Sequence, residues 1–354
     1  MSNTNYSIHG LVDVSICGGE QLIRDVDFHL AIFKTQNSLS KIDIQILPFD
    51  QCPDSQILKR VDDYLFTNSG LVRFDTRFGI DISESTTIIY MDSLSIPINL
   101  LVELSLLKLG YSFIHGAGLQ IGSQNVLFPA PPGTGKTTCV AISLANGAKL
   151  YGDDLCIIGH GQIFAYNQDL SLYEHHLKVL NYKDAKLRRH FRKAVAAKRI
   201  AKFASFLPRI VQKIINVIFA RLAPEAISVS PILVFGANAM ATTGFLNSAV
   251  TLTRSGTVKV LKEVKANPEI ESCIASSLLW HEWHASFHEL MLLDAMVFEG
   301  KWLHQLQLTV QKIAQDHFNA IPFTSLLIPS DWDNIQLSNA LNLWLDDRKD
   351  IKLQ

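Results

Sequence analysis

Between residues 1 and 98, apolar and polar positions alternate in short runs. "YSIHGLVDVSIC", "FHLAIF", "IDIQILPF", "SGLVRFD" and "TTIIYM" are rich in β-branched and aromatic residues, and clusters of Gly, Asn, Asp and Ser separate them. A period of two sends every second side chain to one face of a strand. This stretch is expected to form a β-rich N-terminal domain. The pattern changes at Pro97. "PINLLVELSLLKLG" spaces its apolar residues as a helix does, with a proline near its start and Gly110 at its end.

The next stretch is "YSFIHGAGLQIGSQNVLFPAPPGTGKTTCVAISLANGAKLYGDDLCIIG". It reads as strand, turn, strand, loop, helix, strand. The helix is expected from Thr137 to Asn146, with Gly147 able to take a left-handed cap. A parallel crossover would return the next strand beside the first. Past Pro231 the pattern predicts strands again: "ILVFGA", then "SAVTLTRSGTVKVL" as a hairpin around Ser255 and Gly256. From about Asn267 the chain reads as mainly helical. Three regions result: residues 1–98, 99–265 and 266–354.

The middle region carries an insertion at about 183–222. Residues 183–221 hold twelve Lys or Arg and a single acid, Asp184. Leu187, Phe191, Val195, Phe203, Leu207, Val211, Ile214, Ile218 and Leu222 keep roughly helical spacing, and Pro208 divides two expected helices. Docking of the apolar stripe on the protein, with the cations solvated, accounts for this pattern. A basic helix gripping an acidic partner or an anionic membrane surface accounts for it equally.

Composition narrows the field. Of the 354 residues, 48% are hydrophobic and 18% charged, which supports large buried cores and excludes a disordered chain. A formal net charge of −1 gives no whole-protein case for nucleic acid as a partner. The five cysteines (Cys17, Cys52, Cys139, Cys156 and Cys273) are widely spaced with no CxxC pair, so reduced thiols are expected. "MSNTNYSIHG" has no apolar core behind a basic cap, and no run reaches the roughly 18 apolar residues of a spanning helix. A cytoplasmic protein is the expectation. Oligomeric state stays open, a homo-oligomer included.

The chemistry concentrates at "APPGTGKT", residues 130–137, which match GxxxxGK[ST] with Ala for the first Gly. Glycines let backbone wrap closely around phosphate oxygens. The amides of Gly133, Thr134, Gly135, Lys136, Thr137 and Thr138 are the candidate nucleotide-binding groups, at the positive end of a helix. Lys136 adds a full charge, and the Thr137 hydroxyl suits Mg²⁺. Sixteen positions past Thr137 come Asp153 and Asp154. Adjacent strand residues face opposite ways, so the two carboxylates are expected to divide their work between an acceptor hydroxyl and the metal shell. A Gly-Asp-Asp surface turn is the alternative. His115 lies twenty-one positions before Lys136; a packed core histidine is the alternative there.

Two further features are weaker. "WHEWHASFHEL" sets His281, His284 and His288 along one helix face, but its Trp and Phe residues fit a packing helix better than a metal site. Arg254, in the expected hairpin, is within range of a phosphate or simply decorates a turn.

"HGAGL" before the loop and "GAKLYGDDLCII" after it resemble the HPr serine kinase/phosphorylase family and its HPr kinase-like P-loop relatives. The order His-Gly, P-loop, Asp-Asp and its spacings match over about residues 100–160. The resemblance implies an α/β fold with a P-loop kinase core related to the ATP-type phosphoenolpyruvate carboxykinases, here with a β-rich N-terminal domain and a helical insertion. It implies ATP and Mg²⁺ as cofactors, with Lys136 and Thr137 serving them. It makes Asp153 the general base and places Asp154 and His115 beside the transferred phosphoryl, Asp154 with the metal. Glu174 corresponds by rough position to a later metal-assisting Glu. The family's Gly-rich signature for phosphorolysis is not found. The expected activity is a kinase moving the γ-phosphoryl to a hydroxyl of a protein, peptide or small molecule. Two other readings stay open. "APPGTGKT" also resembles the loop of AAA ATPases, although "SPILVFGAN" ends without the acids they need. A non-catalytic nucleotide-binding scaffold acting through the basic helices is the other.

Overall fold

The computed structural model describes residues 2–53, 57–83, 85–130, 133–166, 170–173, 176, 226–271, 273–274 and 288–349. The basic segment 183–221, Glu174, His281 and His284 lie outside the described residues. The fold is mixed α/β, with two large mixed sheets and helices. The chain forms two compact units that interleave along the sequence. The first comprises Met1–His115, Leu155–Phe164 and Asn267–Phe323; the second comprises Gly116–Asp154, Ala165–Ala266 and Thr324–Gln354. The expected boundary at 265 lies beside a unit boundary, between Ala266 and Asn267, whereas the one at 98 falls inside the first unit, which runs on to His115.

In the first unit, β1 (Ser2–Ile8) and β2 (Val12–Gly18) form an antiparallel pair. Leu11 N–H donates to Ile8 C=O at 2.9 Å across their turn. Both central residues have positive φ, His9 at 54° and Gly10 at 71°, which matches the right-handed twist of the flanking strands. Alternation then buries Tyr6, Ile8, Val12, Val14 and Ile16 on one face. The sheet continues through β3 (Lys34–Thr35), β4 (Ile44–Leu47), β5 (Lys59–Val61), β6 (Tyr64–Phe66), β7 (Gly70–Arg73), β8 (Phe78–Ile82) and β9 (Thr87–Met91), in the order β3-β1-β2-β4-β9-β8-β7-β6-β5.

Two helices cover it. Helix α1 (Glu20–Leu30) buries Leu22, Val26 and Leu30, a four-residue spacing that continues into "FHLAIF". That hexapeptide is therefore the end of a helix and a short 3₁₀ turn, not a strand. The upstream periodicity decides it, and a six-residue window hides that periodicity. Helix α2 (Ile98–Lys108) follows Pro97 and ends before Gly110, whose φ is +76°. It is buried almost all round, as a helix lacking a polar face must be.

Glu103 lies inside α2, 1% exposed. Its two oxygens accept from Ser112 Oγ at 2.6 Å and Phe113 N–H at 2.7 Å. Ser112 Oγ also lies 2.9 Å from the Phe113 carbonyl. Protonation of Glu103 reverses the first of these bonds, so that Glu103 donates to Ser112 Oγ and Ser112 donates to the Phe113 carbonyl. Burial pushes Glu103 from 4.5 up to about 8, against the downward pull of both hydrogen bonds. The folded state therefore keeps a proton that the unfolded chain releases. The resulting stability is complete below the unfolded value of 4.5, falls as pH rises, and is lost above about 8. Glu103→Gln reproduces the neutral pattern. Its melting temperature should exceed the wild type's by about 5 °C or more at pH 8.5 and match it near pH 5. Parallel melting curves across this range would refute a neutral Glu103.

Strand β10 (Ser112–Ile121) contributes residues 112–115 to the first unit and 116–121 to the second. In the first, it pairs antiparallel with β13 (Leu155–Gly159), His115 opposite Leu155, and β14 (Gln162–Ala165) follows. Helices His288–Val297 and Trp302–Ala320 complete this unit.

In the second unit, β10 pairs antiparallel with β11 (Gln124–Pro129) and with β12 (Lys149–Gly152). The return strand β12 is thus antiparallel to β10, and not parallel beside the strand before the loop. The parallel partner of β11 is β18 (Ser248–Ser255). Strand β20 (Phe323–Pro329) lies between β18 and β19 (Lys262–Lys265). The expected hairpin around Ser255 and Gly256 therefore does not form, because a strand from the C-terminal region takes the place between its arms. Among the described residues, the other elements of that region are helices. "ILVFGA" is likewise not a strand: Pro231–Phe235 is a short helix, with Pro231 in its first turn, where a missing N–H costs nothing. β17 (Thr243–Phe245) precedes β18. The ribbon of β15 (Leu170–Tyr173) and β16 (Ala226–Val229) closes with Tyr173 opposite Ala226. Tyr173 and Ala226 lie on either side of the segment that holds the basic insertion.

Candidate nucleotide site

Strand β11 buries Val126, Leu127 and Phe128 and delivers the chain to the loop at Ala130. Pro131 and Pro132 lie outside the described residues. Gly133 has φ +79°, and Gly135, the residue before helix α3 (Lys136–Ala145), has φ +109°. Both are left-handed conformations that favour glycine. Helix α3 stops where the sequence implies, at Asn146, with Gly147 at φ +85°. Its first intrahelical bond runs from Cys139 N–H to Gly135 C=O at 2.9 Å. The amides before Cys139 therefore point along the helix axis toward the loop.

The loop is braced from behind. A Cβ on Gly135 would come within 2.6 Å of Leu337 Cδ2, on the helix Asn334–Lys349 that packs against α3. Gly135→Ala is expected to cost about 1–3 kcal/mol of stability through backbone strain. Adding Leu337→Ala relieves the clash and leaves the strain. Paired thermal melts check this; full recovery in the double variant would place the whole effect in the clash.

Three consecutive side chains open α3, and each has a different partner. Lys136, 6% exposed, places Nζ 2.9 Å from Asp154 Oδ1. Thr137 Oγ1 donates to Asp153 Oδ2 at 3.0 Å. Thr138 Oγ1 lies 3.1 Å from His176 Nε2. His176 Nδ1 accepts from Tyr173 N–H at 3.1 Å, which puts the ring proton on Nε2 and makes Thr138 its acceptor. Thr134 is also buried.

The two aspartates lie in the bend after β12, not within the strand. They separate all the same: Asp153 is buried at 1% exposure, and the Asp154 side chain is 44% exposed. Asp154 C=O accepts Gly116 N–H at 3.0 Å, so the bend is tied to β10. Asp153 stands at Thr137, the hydroxyl suited to a metal, and Asp154 stands at the lysine. The resemblance divides them otherwise, with Asp153 as base and Asp154 on the metal. His115 is 3% exposed on the first unit's part of β10.

His176 and Leu337 are the residues that sequence reasoning misses. His176 is one of two adjacent histidines in "YEHHL", and its thirty-eight-residue separation from Thr138 follows no motif. Arg254 does not approach the loop's chemistry through a turn. Its Nη1 donates to the carbonyls of Pro329 at 3.2 Å and Trp332 at 3.1 Å, stapling the end of β20. His288 Nδ1 lies 3.4 Å from Tyr64 Oη, a packing contact in the first unit.

Among the described residues, no group of three or more His, Cys, Asp or Glu side chains forms a metal-ligand cluster. Mg²⁺ does not need one, since it binds through one or two carboxylates, waters and substrate phosphates. Thr137 Oγ1 is a hard oxygen donor that fits it, and carboxylate oxygens stand beside it. No helix among the described residues is long and apolar enough to cross a membrane. No family model matches the chain, and no curated protein matches it significantly.

Proposed function

We infer that the second unit binds Mg²⁺·ATP at residues 133–138 and transfers its γ-phosphoryl to an acceptor hydroxyl, as an HPr kinase-like phosphotransferase with a P-loop kinase core. One observation carries this reading. Two adjacent carboxylates from a bend after β12 meet two adjacent residues of the loop, Asp154 at Lys136 and Asp153 at Thr137. A chance glycine-rich turn has no reason to recruit both.

The roles follow from this placement. Left-handed Gly133 and Gly135 shape the loop, and the amides opening α3 hold phosphate oxygens. Lys136 neutralises charge on the terminal phosphates. Thr137, with a carboxylate, would hold Mg²⁺, which when bound screens the β- and γ-oxygens. Asp153, fixed by its bond from Thr137, orients the acceptor hydroxyl or takes its proton. Positioning and charge stabilisation supply most of the acceleration in such transfers. His115 enters this reading from the resemblance alone. The acceptor is a hydroxyl of a protein, a peptide or a small molecule.

Phosphate tracking tests the reading. Protein, Mg²⁺ and γ-labelled ATP are incubated with and without host-cell extract. Label on an extract component is the expected result and leads to the acceptor. Free phosphate alone would indicate an ATPase, and binding without turnover a nucleotide-binding scaffold.

A further inference from the structure

The Lys136–Asp154 pair is asymmetric. The lysine side chain is 6% exposed and begins α3, whereas the Asp154 side chain is 44% exposed. The main chain of Asp154 is held by Gly116 N–H at 3.0 Å. Its carboxylate can therefore turn toward solvent by side-chain rotation, with the backbone left in place. The ammonium cannot leave so easily. In a phosphate-binding loop, that ammonium meets the β- and γ-phosphate oxygens. A carboxylate oxygen 2.9 Å from it occupies the same donor.

We propose that Asp154 stands in for the terminal phosphate at Lys136, and that its displacement restricts the loop to Mg²⁺-complexed nucleoside polyphosphates over metal-free ones. This rests on the nucleotide reading of the same site. The placement of the acids supports it. Asp154 stands at Lys136 and Asp153 at Thr137, so both carboxylates border the loop. A metal-free polyphosphate must both displace Asp154 and approach these like charges in a partly buried setting, where screening is weak. A divalent cation brings positive charge with the phosphates and gives the displaced carboxylate a new partner. The pair also keeps the buried lysine compensated before ligand arrives, so the loop need not assemble around the incoming phosphates.

Isothermal titration of the full chain with ATP, in EDTA and in Mg²⁺, tests the proposal on wild type and Asp154→Asn. In EDTA the variant should bind ATP about tenfold tighter than wild type. In Mg²⁺ that advantage should disappear, because the variant also lacks the carboxylate that the cation recruits. Asp154→Ser is read by the same criterion if the Asn variant does not fold. Equal or weaker binding by the variants in EDTA, with wild type binding Mg²⁺·ATP, overturns the stand-in role and leaves the nucleotide reading intact. No binding of ATP by any form, in either buffer, overturns both.

Discussion

Asp153→Asn should lower phosphoryl transfer by about 10²–10⁴-fold while leaving Mg²⁺·ATP affinity within about threefold. The substitution is nearly isosteric. The Asn carbonyl oxygen still accepts from Thr137 Oγ1, as Asp153 Oδ2 does at 3.0 Å. Only the negative charge and the ability to take a proton are lost. Asp153 is 1% exposed, so solvent does not readily replace it. Single-turnover transfer of labelled phosphate, measured beside ATP titration, separates the two effects. A fall in Mg²⁺·ATP affinity matching the fall in rate would move Asp153 to the metal side of the site. An unchanged rate would remove it from the chemistry.

Lys136→Ala should reduce nucleotide affinity about 100-fold or more and abolish detectable transfer. The substitution removes the charge proposed to meet the phosphates, and it takes away the partner of Asp154. That side chain is 44% exposed and can reach water, so the fold should survive. Asp153 would remain held by Thr137. Equilibrium binding of Mg²⁺·ATP, with circular dichroism as the control for folding, is the measurement. Retained affinity would mean that nucleotide binds elsewhere, and that the pairing of Lys136 with Asp154 is structural.

Some of the site is local, and local features are readable. The glycines of the loop, the start of α3 near Thr137 and the left-handed Gly147 after Asn146 all follow from neighbours in sequence. So does α2, bounded by Pro97 and Gly110. Each is fixed by backbone sterics and short-range periodicity. The errors share a cause as well. "FHLAIF" has β-rich composition, but the spacing of Leu22, Val26 and Leu30 carries α1 through it. "SAVTLTRSGTVKVL" carries a turn signal, yet β20 from the far end of the chain separates β18 from β19. Propensity in a short window cannot see a partner seventy residues away.

The sequence by itself determined that a glycine-rich loop ending in a lysine opens a helix here, and that two adjacent acids follow at a set distance. Glycine geometry, the helix terminus and the lysine charge are properties of contiguous residues, so no tertiary information was needed. Only the tertiary structure decided which acid meets which loop residue. It set β12 antiparallel to β10, ended that strand at Gly152 and put both aspartates in a bend. There, backbone direction rather than strand alternation aims Asp153 at Thr137 and Asp154 at Lys136. It also brought His176 to Thr138 and Leu337 to Gly135. Strand order and helix packing depend on which distant surfaces bury each other, and that is a property of the whole chain rather than of any window along it.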